Sequence, residues 1–157
     1  QIWGKHSSYE LSTNVPLIIV DPSQKNRGTE CDSFVELLDI YPTLSELVKT
    51  EKPKNIDGRS LSSFFEKPKK GNRKFAYSQY QSFQNNRLFT NYMAYAIYSN
   101  NFNYIEWQDL KNNRKVVQRE LYKMGDSRFE KENISSQIES SNTIKELSLM
   151  IKKKFKL

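Results

Sequence analysis

Four short aromatic-rich segments, residues 75–80, 92–98, 103–107 and 116–122, follow one another with polar turns between them. Strands returned by turns of a few residues pair antiparallel with their predecessors, because a parallel return needs a long crossover. Asn100-Asn101 and residues 111–113 are turn candidates, since Asn tolerates positive φ. The second half of the chain therefore reads as an antiparallel sheet of about four strands. Residues 143–155 return to helical spacing through Ile144, Leu147, Ile151 and Phe155, and Thr143 with Glu146 forms a candidate capping box. One helix would then cover one face of the sheet.

Upstream, residues 15–20 form a continuous apolar run broken only by Pro16 and closed by Asp21-Pro22, which suits a strand buried on both faces. Residues 23–32 are polar and read as a loop, and 34–38 as a strand or the opening of a helix. Asp39 is placed as an N-cap with Pro42 in the first turn, where a missing N–H costs little. A helix is expected over 40–49, with Ile40, Tyr41, Leu44, Leu47 and Val48 on one buried stripe.

The 157 residues suit one domain, and 36% hydrophobic content suffices for a core. The run at 15–20 is far short of the ~20 residues that cross a bilayer, so no transmembrane helix is expected. Cys31 is the only cysteine and His6 the only histidine, which excludes an internal disulfide and a Cys/His zinc site. Cys31, with no base beside it, reads as a semi-buried thiol. Gln1 opens the chain, and 1–6 has neither a charged n-region nor an apolar signal core, so a start within a larger protein is expected.

The net charge of +7 is concentrated: residues 49–74 hold nine Lys/Arg against three Asp/Glu, and four lysines lie in 152–157. Pro53, Gly58, Pro68 and Gly71 mark the first cluster as a solvated loop or, more sharply, a footprint for a polyanion. The tyrosines at 77, 80, 92, 95, 98 and 104 read as sheet packing rather than a base-stacking platform. The chain holds no phosphate-binding Gly loop and no nucleophile elbow. Its one chemistry-bearing pair is Lys5-His6, a cation beside the side chain that titrates near neutral pH.

Six strings in order carry more. "WGKHSSYELSTNVPLIIVDP", "LLDIYPTLSELV", "IDGRSL", "AYSQY", "MAYAIYSNNFNYIEW" and "ELYKMGDSRFEKEN" resemble the sulfatase family, in the arrangement of its iduronate-2-sulfatase-like enzymes, over residues 3–133. The resemblance implies an α+β chain. Residues 1–70 would be the end of an alkaline-phosphatase-like α/β catalytic domain, and 71–157 a four-stranded antiparallel subdomain with a C-terminal helix.

By the same resemblance, Lys5 matches the lysine that contacts the substrate sulfate, and His6 takes the next position, facing substrate, with Trp3 beside them as a binding residue. The family's formylglycine, made from Cys or Ser in C/S-x-P-x-R, and its calcium ion are implied for the full-length enzyme and not for this chain. Cys31 is followed by Asp32-Ser33-Phe34 and does not fit that motif. The implied partners are a sulfated carbohydrate and the upstream part of the same protein, with no nucleic acid and no membrane, in a periplasmic, secreted or lysosomal setting.

Gln81-Ser82 stand where relatives often have Pro-Arg, which leaves uronate 2-O-sulfate specificity unsupported. Lys123 and Ser127-Arg128 depart from an ELYD-x-x-x-D-P ending, whereas Glu130 and Asn133 fit it; that string is expected to be a structural turn. The competing reading is a stand-alone basic module that binds nucleic acid or acidic polysaccharide without catalysis, for which a steep salt dependence would be diagnostic.

Overall fold

The computed structural model describes residues 6–52, 54–68, 71, 73–82, 91–125 and 129–157. The aromatic segments form the expected sheet, β1 (Ala76–Gln81), β2 (Tyr92–Tyr98), β3 (Phe102–Asp109) and β4 (Lys115–Lys123), hydrogen-bonded in the order β1-β2-β3-β4. β2 and β3 pair antiparallel from Tyr92↔Asp109 to Tyr98↔Asn103. Their turn is closed by the Ser99 N–H on Phe102 O at 2.8 Å and by the Phe102 N–H on Ser99 Oγ at 3.0 Å.

The β3–β4 turn uses positive φ at Asn113 (47°) and Arg114 (55°). Asn tolerates this conformation, whereas an arginine there is strained. The Arg114 guanidinium donates to Tyr95 Oη at 2.7 Å, which helps hold the turn. Between Trp107↔Gln118 and Gln108↔Val116 the register shifts, leaving Val117 without a ladder partner.

Side-chain alternation splits the sheet into two faces. On one, Ala94, Ala96, Ile105, Tyr122 and Met124 form a buried cluster with Tyr9, Tyr80, Tyr98 and Trp107 packed against it. On the other, Tyr95 and Tyr104 lie on the side covered by α4 (Ser141–Phe155), whose Leu147 and Ile151 are buried. The Phe155 ring stands 4.9 Å from that of Tyr95 and 6.2 Å from that of Tyr77.

This helix begins two residues earlier than its periodicity predicts. A 3-10 turn, Ile138–Ser140, feeds directly into it, and no side chain caps it, so the capping box expected of Thr143 and Glu146 is replaced by backbone bonding. It ends with Lys156 in the left-handed region and with Lys152, Lys153 and Lys154 in the last turn, where positive charge opposes the helix dipole.

The chain divides into two compact units, residues 17–76 and residues 1–16 with 77–157. Unit 17–76 contains α2 (Ile40–Leu47) and α3 (Ser62–Glu66); α1 (Glu10–Thr13) belongs to the sheet unit. Residues 34–38 open a helix rather than a strand: Leu37–Asp39 is a 3-10 turn that runs into α2. α2 stops at Leu47, short of Lys49, because Lys49 turns left-handed (φ 57°) and Thr50 N–H bonds back to Ser45 O at 2.9 Å.

Asp39 is not the side-chain N-cap of α2. Fully buried, it accepts the Glu36 N–H (2.8 Å), the Arg59 N–H (2.8 Å) and both Arg73 guanidinium nitrogens (2.8 and 2.9 Å). Thr43 Oγ1 donates to Asp39 O at 2.5 Å and accepts the Leu61 N–H at 2.8 Å. Gly58 closes this latch by close approach, since a Cβ there would lie 1.9 Å from Leu38 O. The "LLDIYPTL" and "GRSL" strings are thus two halves of one packing device.

Two further expectations are corrected in this part of the chain. The run 15–20 is not a buried strand: Ile18 is 85% and Val20 82% exposed, and neither lies in a ladder. An apolar run becomes a strand only where a neighbour supplies hydrogen-bond partners, and none of the described residues does so. The stripe of α2 is likewise open, with Tyr41, Leu44 and Val48 exposed, while Pro42, Thr43 and Ser45 are buried. The bond between Thr43 and Leu61 turns the polar side of the helix inward.

Candidate functional site

Of the residues singled out by sequence, Trp3 and Lys5 lie outside the described residues. His6 is described and exposed, with its ring centroid 6.4 Å from that of Tyr80 at a tilt of 47°. Burial raises the Tyr80 pKa above its ordinary value, which keeps that hydroxyl protonated.

Residues 8–10, just beyond His6, are pinned to the sheet. The Tyr9 hydroxyl donates to Glu120 Oε2 at 2.8 Å, and Tyr122 donates to the same oxygen at 2.6 Å. Trp107 Nε1 donates to Glu120 Oε1 at 2.7 Å. The Tyr9 ring also meets the Tyr122 ring edge-on at 5.9 Å. Burial and the Glu120 carboxylate raise the pKa values of Tyr9 and Tyr122, so these hydroxyls remain donors.

One residue on, buried Glu10 receives the Tyr98 hydroxyl on Oε2 and Asn14 Nδ2 on Oε1 at 2.9 Å. The Glu10 N–H donates to Glu130 Oε1 at 2.8 Å, and Asn103 Nδ2 donates to that oxygen at 2.7 Å. Asn103 Nδ2 also reaches Ser8 O at 3.3 Å. Side chains and backbone of 8–10 are therefore held at several points by β2, β3, β4 and the turn that succeeds β4.

Beyond β4 the described residues make structural bonds, while Ser127-Arg128 lie outside the described residues. Asn133 Oδ1 accepts the Leu121 and Ser135 N–H groups, both at 3.0 Å, and Ser135 Oγ donates to Arg119 O at 2.9 Å. The tyrosine stripe serves packing and hydrogen bonding: Tyr104 is fully buried and donates to Glu106 Oε2 at 2.8 Å. Part of the basic cluster is also spent internally. Arg73 pairs with Asp39 and, at 3.2 Å, with Glu36, and Lys154 lies 5.6 Å from the Tyr77 ring centroid.

Cys31 is exposed rather than semi-buried. Among the described residues no group of three or more His, Cys, Asp or Glu is arranged to hold a metal ion. Among the same residues no helix is long and apolar enough to cross a membrane.

Sequence reasoning singled out Lys5, His6 and Trp3 but missed the anchors Tyr9, Glu10, Glu120 and Glu130. The available signal was a Tyr-Glu pair in the same string as Lys5-His6, and Glu130 fitting the family turn.

Comparison with known proteins identifies the class. Residues 1–156 match the family described as N-sulphoglucosamine sulphohydrolase, C-terminal. The chain belongs to this family and is a C-terminal region of the sulfatase type. It is 40% identical over 57 residues to arylsulfatase K of Xenopus laevis and to arylsulfatase K of Homo sapiens, covering 36% of this chain and 10% of each relative. A solved structure, BT4656 in complex with its substrate D-glucosamine-2-N,6-O-disulfate, superposes with a TM-score of 0.57 at 28% identity, covering 75% of this chain and 23% of that one. The chain thus spans a small part of the length of the proteins it matches. The four-stranded antiparallel sheet with its C-terminal helix agrees with that neighbour. None of these matches carries the finer placement beside iduronate-2-sulfatase-like enzymes.

Proposed function

We propose that this chain is the C-terminal part of an enzyme that hydrolyses sulfate esters or sulfamates of a sulfated sugar, and that Lys5 and His6 line its substrate site with Trp3 as a neighbour. The observation that carries the reading is the family match over residues 1–156. The sugar class is supported by the solved neighbour, whose substrate is a disulfated glucosamine. The absence of Pro-Arg after Tyr80 tells against uronate 2-O-sulfates within that class.

Sulfate ester hydrolysis moves negative charge onto the sulfuryl oxygens and the leaving oxygen. A fixed ammonium from Lys5 would stabilise the first, and the His6 imidazole would hold or deliver a proton at the second. Such groups lower a barrier only if they are already in place, and the anchoring of residues 8–10 supports that role. A formylglycine and a calcium ion, both supplied by sequence outside these residues, would provide the nucleophile and orient the sulfuryl group in the full-length enzyme. Residues 1–70 would complete the catalytic domain and 71–157 would form a C-terminal subdomain. An exported or lysosomal setting accords with this reading.

The test is sulfate release from a sulfated glucosamine by the full-length protein, with the formylglycine verified by mass spectrometry. Turnover is expected there and not from the 157-residue chain alone. Lys5→Ala in the full-length enzyme should lower kcat/KM by about 100-fold. No release from any sulfate ester or sulfamate would overturn the reading, and wild-type kinetics would remove Lys5 from the site.

A further inference from the structure

Burying a carboxylate costs free energy unless its oxygens are well satisfied, and this sheet unit spends two carboxylates on the segment next to Lys5-His6. Glu120, almost fully buried, takes three hydrogen bonds from the neutral donors of Tyr9, Tyr122 and Trp107. Glu130 Oε1 takes the Glu10 N–H and the Asn103 amide. One carboxylate thus holds a side chain and the other a backbone N–H of consecutive residues, which restricts both translation and rotation of the segment.

We propose that Glu120 and Glu130 are positioning residues for the substrate site, setting where His6 stands relative to the sulfate group. The proposal rests on the sulfatase reading of the full-length protein. Tyr9 lies three residues after His6 and Glu10 four, so a shift at the clamp passes along a short stretch of backbone. A displacement of about 1 Å at a catalytic group can cost on the order of 10²-fold in rate. Glu130 Oε1 accepts two N–H groups here, a role that an amide oxygen can also fill.

The experiment uses the full-length enzyme and three variants. Glu130→Ala should lower kcat/KM by about 10-fold or more, chiefly in kcat, and should speed hydrogen exchange of the Glu10 amide while the amides of α4 keep their protection. Glu130→Gln should restore both to within about threefold of wild type, because its Oε1 still accepts both donors. Tyr9→Phe, which keeps the ring on Tyr122 but removes the donor to Glu120, should reduce kcat in the same direction.

Wild-type kcat in folded Glu130→Ala, or equal damage from Gln and Ala, overturns the proposal. Should Glu130→Ala not fold, wild-type kinetics in Tyr9→Phe overturns it instead. If the wild-type enzyme releases no sulfate, the sulfatase reading and the positioning role fail together. Turnover by wild type with undamaged variants removes the positioning role alone.

Discussion

Removing the Asp39 carboxylate is the sharpest perturbation available in the unit of residues 17–76. Asp39→Ala deletes four accepted hydrogen bonds: two from Arg73, one from the Arg59 N–H and one from the Glu36 N–H. It leaves Arg73 with its side chain only 14% exposed. Breaking a buried pair from one side costs about 3–5 kcal/mol. Glu36 Oε2, 3.2 Å from Arg73 Nη1, still offsets part of the orphaned charge, which places the expected loss near ~3 kcal/mol. Native-state hydrogen exchange of the Arg59 and Leu61 amides should then accelerate by roughly 10²-fold, since each ~1.36 kcal/mol is a factor of ten. Asp39→Asn, which keeps one acceptor oxygen, should cost about half as much. A loss below about 1 kcal/mol for Asp39→Ala would refute the latch, because four such bonds cannot be replaced by water in a site this closed.

Two other outcomes are expected. Tyr9, Tyr104 and Tyr122 have pKa values raised above 10.0, mainly by burial, so an unfolded chain gives up these protons first as pH rises. Their stabilisation is complete below about pH 10 and lost above it, by at most about 1.4 kcal/mol per pH unit for each group; urea midpoints that fail to fall between about pH 9 and 11 would contradict this. Ile151→Ala, at a fully buried position of α4, should destabilise by about 2–5 kcal/mol. Leu149→Ala, at an exposed position of the same helix, should stay within about 0.5 kcal/mol; similar values for the two in thermal unfolding would show that α4 does not cover the sheet through Ile151.

The sheet is legible in the sequence because its signals are local. Residues 92–98 form a short run of aromatic and apolar side chains bounded by polar turns, and the turns on either side of β3 contain Asn where positive φ or tight return is needed. α4 is legible from its apolar spacing, although its first turn is not, since backbone bonding from the preceding 3-10 turn leaves no side-chain mark. The family strings are equally readable, and with them Lys5 and His6 as candidates. The roles of the string residues are not. Asp39 resembles a helix cap because a capping residue and a buried acceptor have the same sequence appearance, and only the approach of Arg59 and Arg73, 20 and 34 residues on, distinguishes them.

Local chemistry written along the chain therefore determined the meander, the terminal helix and the family. Tertiary structure alone decided which polar side chains hold that frame together. Glu120 meets Tyr9 across 111 positions of sequence, and Glu130 meets the Glu10 amide across 120. No periodicity spans such distances. A buried carboxylate is stable only when folding brings donors to it, so its purpose is visible only after the chain has closed around it.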